Sequence, residues 1–292
     1  MFGFINLNKP LGLTSHDCVS QIRRLLKLKR VGHGGTLDPA ASGVLPIAVG
    51  KATRLLRFLP QDKVYRAVIR FGVRTATDDL EGEILQQQPA SSLRLEEVEP
   101  YLKRFRGTIE QIPPAYSAIQ QDGKRLYELA RAGKEVKAAA RKVEINNIEV
   151  LGWYPGEYPE LELMIACGSG TYIRAIARDL GAALNVGGTL AALKRTRSCG
   201  LELADSINLE QVAASQLIDP AQALGNLKTL TLNEFEAKRW CHGQRISYQQ
   251  IQPEDQVVQV QDNQGKFLGI SKLVLEQDQL WLAPEIVVAS FG

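Results

Sequence analysis

Residues 32–54, GHGGTLDPAASGVLPIAVGKATR, hold one histidine, His33, and one acid, Asp38, among glycines and small residues. Glycines admit positive φ and let a backbone come close to a ligand. Asp38 precedes Pro39, which disfavours the helical region at Asp38 and holds it extended. A carboxylate on a stiff loop can act as a covalent nucleophile, splitting one difficult substitution into two easier steps. It must then stay ionised in a partly dry pocket, which a neighbouring guanidinium promotes. The same residue types also build ordinary turns with an Asx-type cap, and the stretch alone leaves both readings open.

Other chemistries lack their signatures. The four cysteines (Cys18, Cys167, Cys199, Cys241) and three histidines (His16, His33, His242) are not at zinc-ligand spacing. There is no G-x-S-x-G elbow for a serine nucleophile. Gly32-His33-Gly34-Gly35 does not make a dinucleotide fingerprint.

The elements that must position Asp38 follow from periodicity. Residues 2–7 read as a short strand broken at Asn8-Lys9-Pro10. Thr14 or Ser15 is a good N-cap for a helix reaching about Lys29, with Cys18 and Ile22 inward. Residues 45–49 suit a buried strand and 51–59 a short helix. Residues 65–71 are the clearest strand, with Tyr65, Ala67, Ile69 and Phe71 on one face. The loop GVRTATDDLEG precedes a strand near Ile84. Residues 93–105 are helical in pattern, with a kink or break at Pro100. Residues 111–142 open on Pro113-Pro114 and read as a basic excursion from the core, with a short helix at 124–132. Residues 143–151 and 161–167 read as strands of a second sheet region, followed by a helix over 172–184 carrying Arg174 and Arg178 one turn apart. Near residue 230 the pattern shifts to one helix, capped by Asn233 with Glu236, and several short strands. Residues 220–230 are the expected joint.

The whole chain sets bounds. Its 292 residues suit one large domain plus a small one. No apolar run approaches a membrane span, and the start MFGFINLNKP does not resemble a secretory signal. Scattered cysteines suit a reducing cytoplasm. Net charge is only +3, yet basic residues cluster at 23–30, 134–142 and 194–197. Each cluster reads as a solvated face. Together they suit a distributed anion such as RNA.

Six motifs in order carry a family resemblance. They are Asn8-Lys9-Pro10-Leu11-Gly12 with Thr14-Ser15-His16; Gly32 to Pro39 with Gly43-Val44-Leu45-Pro46; Lys63-Val64-Tyr65-Arg66; Gln111 to Ala118 with Gly123 to Glu128; Cys167 to Arg174; and Leu193-Lys194-Arg195-Thr196-Arg197. With them the chain resembles the TruB family, the bacterial tRNA pseudouridine-55 synthases, over nearly its full length. The resemblance implies an α+β fold with a mixed, mostly antiparallel sheet over residues 1–230, an RNA-contacting insertion at about 111–142, and a small PUA-like β-barrel over 231–292. It implies that Asp38 is the nucleophile in isomerising uridine 55 of the tRNA T arm to pseudouridine. Tyr65 would stack on the target base, Arg174 would pair with Asp38, and Leu193 would pack against the pocket. His33 would fill the space left by the extruded base, and Lys9 with Pro10 would buttress the loop on the substrate side. The insertion would order on RNA, and the PUA-like piece would add RNA contacts. No cofactor, metal, membrane or obligate protein partner is implied. The expected rival is a non-catalytic RNA-binding or RNA-folding protein on the same scaffold.

Overall fold

The computed structural model describes residues 1–117, 138–248 and 256–289, with the backbone of two short strands between the first two spans. A mixed sheet carries the first part of the chain. Its strands are β1 (Gly3–Lys9), β2 (Val31–His33), β3 (Ala41–Val49), β4 (Lys63–Phe71), β7 (Gly107–Gln111), β10 (Arg141–Tyr154), β11 (Glu160–Cys167), β12 (Gly188–Ser198) and β13 (Leu201–Glu202). Their order is β1-β3-β12-β4-β11-β10-β7, with β2 added to β3 and β13 to β12. All neighbours are antiparallel except β12 and β3, which run parallel. Two small ribbons stand apart: β5 (Val73–Thr75) with β6 (Ile84–Gln87), and β8 (Gln120–Gln121) with β9 (Lys124–Arg125).

Helix α1 (Ser15–Leu25) starts at a reciprocal cap. The Asp17 N–H donates to Thr14 Oγ1 at 3.0 Å, and the Thr14 N–H donates to Asp17 Oδ2 at 2.9 Å. The helix stops short of the expected Lys29, because Lys27 adopts φ 53° and turns the chain into β2. Helix α2 (Leu95–Leu102) runs past Pro100 before tightening into a 3₁₀ turn, so no break occurs there. Residues 51–59 form two 3₁₀ turns rather than one helix. Helix α3 (Ile173–Ala183) buries Ile173, Ile176, Ala177 and Leu180 against the face of β4 that carries Tyr65, Ala67, Ile69 and Phe71. Burying each such aliphatic or aromatic side chain contributes roughly 1.5–3 kcal/mol.

Three sequence expectations change. β10 and β11 are not a second sheet region; β11 pairs with β4 along its full length. The ends of the expected excursion lie on the edge of the same sheet, Gln111 pairing with Arg141 and Lys142 with Glu110. Of the helix expected at 124–132, Lys124 and Arg125 lie in β9 and the rest falls outside the described residues.

The last part forms a curled five-stranded half-barrel, β14-β16-β17-β18-β15, with β14 (Thr229–Leu232), β15 (Ile246–Ser247), β16 (Val257–Asp262), β17 (Phe267–Glu276) and β18 (Gln279–Val287). Short helix α4 (Pro220–Ala223) leads into it. Helix α5 (Glu234–Cys241), capped by Asn233 and Glu236 as expected, buries Trp240 in its core. The segment before β14 is no free joint. Leu224 is buried in a cluster that combines Phe4, Ala48, Leu55 and Leu59 with Phe267, Ile270, Ile286 and Val288. No helix among the described residues is long and apolar enough to cross a membrane.

Candidate active site

Asp38 lies on the loop between β2 and β3, and three contacts fix that loop. Ser15, at the start of α1, accepts the Leu37 N–H at 2.8 Å and donates to the Leu37 carbonyl at 3.1 Å. The Gly12 N–H donates to the Pro39 carbonyl at 2.9 Å. The Gly12 turn is itself tied by Lys9, whose ammonium donates to Pro10 O at 2.8 Å and Leu13 O at 2.7 Å. Lys9 has no exposed surface. Burial lowers its pKa, with the Asp38 carboxylate opposing. Lys9 is thus tied into the turn that supports the loop and does not line the cavity beside Asp38.

Arg174, on the first turn of α3, faces the loop. Its Nη2 lies 3.0 Å from Asp38 Oδ2, and its Nη1 lies 3.5 Å from Asp79 Oδ2. The same guanidinium donates to Thr77 O and Tyr116 O, both at 2.9 Å. The Arg174 side chain is 7% exposed and that of Asp38 40% exposed, so a rigid, buried cation holds a carboxylate that stays accessible. One helical turn on, Arg178 pairs with Asp78 at 3.0 Å and donates to Ile112 O at 2.8 Å. Burial raises the Asp78 pKa, with Arg178 opposing. Asp78 takes φ 61°, so the turn before β6 is held in a conformation few side chains adopt.

A cavity of about 240 Å³ opens beside the Asp38–Arg174 pair. Asp38, Tyr65, Arg174 and Leu193 all line it, together with Lys63, Thr171 and Tyr172. Asp38, Tyr65, Arg174 and Leu193 are up to 155 positions apart in sequence (Asp38 to Leu193) and come from the β2–β3 loop, β4, α3 and β12. Tyr65 is buried, which raises its phenol above the ordinary value. His33 is not among the lining residues. It ends β2 opposite Ile47, half-buried, with its Nδ1 buried and unpartnered among the described residues. Burial, then the Arg195 and His16 charges, lower its pKa, which keeps the ring neutral at neutral pH.

The sequence reading left out three groups. Asp79 lay in a stretch read only as a loop. Arg195 was counted in a basic surface cluster, yet it is fully buried. It donates to Val44 O at 2.7 Å, Gly35 O at 3.0 Å and Thr36 O at 3.3 Å, clamping the Asp38 loop from behind. Its i, i+2 spacing from Leu193 was the available signal, since alternate strand residues share a face. Lys63, two residues from Tyr65 on the same face of β4, lines the cavity with it.

The family model for the TruB pseudouridylate synthase N-terminal domain matches residues 23–173, more than half of the chain, and the model for the TruB pseudouridine synthase II C-terminal domain matches 229–277. The chain belongs to the TruB family. Two TruB relatives illustrate how much is shared. The tRNA pseudouridine synthase B of Gloeothece citriformis is 58% identical over 99% of this chain and 98% of its own length. That of Trichormus variabilis is 56% identical over 94% of this chain and 95% of its own. Among solved structures, a chain of a Cbf5-Nop10-Gar1 complex superposes with a TM-score of 0.72 at 26% identity, covering 98% of this chain and 84% of that one. The TruB fold therefore accounts for both sheets, including the half-barrel.

Proposed function

We propose that this protein is a tRNA pseudouridine synthase that isomerises uridine 55 of the T arm, with Asp38 as its nucleophile. The observation that carries the reading is the accessible Asp38 carboxylate held by the buried Arg174 guanidinium at the mouth of a base-sized cavity. Family membership and the names of the relatives point the same way. The reaction balances within the substrate. The N1–C1′ bond breaks, the base turns, a C5–C1′ bond forms, the C5 proton leaves and N1 gains one. It requires no redox cofactor.

A uridine in a folded loop must be flipped out to reach Asp38, at a cost of a few kcal/mol. Stacking on an aromatic ring returns ~1–3 kcal/mol per base, and Tyr65 is the ring that lines the cavity. Its raised pKa keeps the phenol protonated at neutral pH. Leu193 closes the apolar side. His33, just outside the cavity, is the group that would take the vacated space in the RNA. Exposed basic residues of the first two clusters, including Arg24, Lys27, Lys29, Arg30, Arg141 and Lys142, supply phosphate contacts. We assign catalysis to residues 1–230 and additional RNA contact to the PUA-like residues 231–292, in the cytoplasm where tRNA is processed. The second sheet itself begins slightly earlier, at Thr229.

Unmodified tRNA transcript is incubated with the protein and pseudouridine is mapped by mass spectrometry. The reading predicts one new pseudouridine at position 55. A protein that only binds or folds RNA on this scaffold would leave the uridine unchanged, and that result would refute the proposal.

A further inference from the structure

Among the described residues, two cations beside the Asp38 loop have no acidic partner. Arg195 donates to the carbonyls of Val44, Gly35 and Thr36 and lies beside the Tyr65 hydroxyl, with no ion pair among the described residues. Lys63 lines the cavity, makes no ion pair among the described residues, and feels Arg195, Cys167 and Cys199 but no carboxylate among its main electrostatic neighbours. They meet at Gly35. A Cβ built there would lie 3.6 Å from Arg195 Nη1 and 3.7 Å from Lys63 Nζ. The other cation lining the cavity, Arg174, is already paired with Asp38 and Asp79. A half-buried cation without a counter-ion is unfavourable unless a ligand supplies the charge. Burial, with the Arg195 charge adding to it, lowers the Lys63 pKa, and an anion beside it would oppose that shift.

We infer that Lys63 binds a backbone phosphate of the nucleotide whose base enters the cavity, with Arg195 and the Gly35 turn behind it. This rests on the RNA-modifying reading above and adds to it an anion subsite. Lys63 and Tyr65 point to the same side of β4, about 6.6 Å apart along the strand. That is the order of the reach from a pyrimidine ring through its ribose to a flanking phosphate. A base stacked on Tyr65 therefore brings a phosphate to Lys63. The absence of a side chain at Gly35, which has φ 117°, leaves room for it. Arg195 does not touch this phosphate. It is a positioning residue that fixes the turn and adds positive potential.

The test uses a T-arm stem-loop and the full-length protein carrying Asp38→Asn, so that substrate is bound without turnover. Affinity is measured across a potassium chloride series for this background, and with Lys63→Met, Lys63→Gln or Lys63→Arg added. Lys63→Met and Lys63→Gln should each weaken binding about tenfold at low salt and reduce the slope of log K against log salt by roughly 0.7, the share of one single-strand phosphate. Lys63→Arg should keep the slope. Replacing the phosphate on either side of the target uridine by a neutral methylphosphonate should, at one of the two positions, reproduce the loss with Lys63 present and have no effect on Lys63→Met. Unchanged slopes, or losses that simply multiply at both positions, would overturn the inference. In the otherwise wild-type protein, a Lys63→Met that lowers kcat alone with affinity intact would overturn it too, by assigning the ammonium to the base. Failure of the wild type to form pseudouridine would instead strike the function itself, and the binding slopes would still decide the subsite.

Discussion

Arg174 joins four partners on one buried guanidinium: two carboxylates, Asp38 and Asp79, and two carbonyls, Thr77 and Tyr116. Only a planar fork satisfies them together, so charge alone is not enough. Arg174→Lys should keep the protein folded and its RNA affinity within a few-fold, yet lower kcat by about 10²-fold, the scale of a small misplacement of a reacting group. Single-turnover kinetics with saturating enzyme would check this, and a near-normal rate would show that Arg174 only neutralises charge. Cys167, behind the cavity, gives a pH test. Burial pushes its thiol up to about 11 from 9.0. A group with a folded pKa above its unfolded one adds stability that is complete below about pH 9 and is lost as pH rises toward 11. Two units correspond to about 3 kcal/mol. Denaturant midpoints should therefore fall between pH 9 and 11 in the wild type and fall less in Cys167→Ala; equal slopes would contradict this. That Asp38, Tyr65, Arg174 and Leu193 meet at one cavity was legible because each stands in a short motif of the family. The partner of Asp78 and the burial of Arg195 were not, because both depend on contacts across about 100 residues or more.

At the scale of elements, the site depends on where β12 lies. It is inserted between β3 and β4, parallel to the first and antiparallel to the second. In this register Leu193 faces Ala41 and Ala67, while Arg195 faces Gly43 and Tyr65. Gly43 has φ 104°, and a Cβ there would overlap the Arg195 carbonyl. Gly43→Ala should destabilise the fold by roughly 1–3 kcal/mol from crowding, with about 1–2 more from the left-handed backbone. It should lower activity beyond what stability explains, since Arg195 holds the loop of Asp38. Urea unfolding beside kinetics would read both, and a neutral effect on stability would refute the register argument. β12 escaped the sequence reading because Lys194, Arg195, Thr196 and Arg197 look like a solvated charge run. In fact only Lys194 is an exposed cation without an ion pair among the described residues, since Arg197 pairs with Asp62 and Glu202. β4 was legible from its alternation and β11 from its short apolar run. β7 was missed because its five residues, GTIEQ, lie on an exposed edge with little apolar pattern.

For the whole molecule, the large sheet presents Asp38, the half-barrel is fastened to it through the Leu224 cluster, and the basic faces lie on α1 and at the start of β10. The half-barrel was anticipated from its spaced strands and the capped helix. Its attachment was not, since Phe4, Leu55 and Ile286 look like ordinary core residues in sequence and find one another only in the fold. The Lys51 ammonium donating to Val288 O at 2.6 Å and the Arg57–Glu285 pair border the same joint. A substrate RNA would thus meet a body in which the cavity and the half-barrel are held together. What remains decisive is whether one carboxylate does the chemistry that this body organises. The most direct measurement compares wild type and Asp38→Asn on the same T-arm stem-loop, reading pseudouridine by mass spectrometry and binding by titration. The result predicted is complete loss of pseudouridine with affinity retained. Pseudouridine formed by Asp38→Asn at a rate close to wild type would contradict the account.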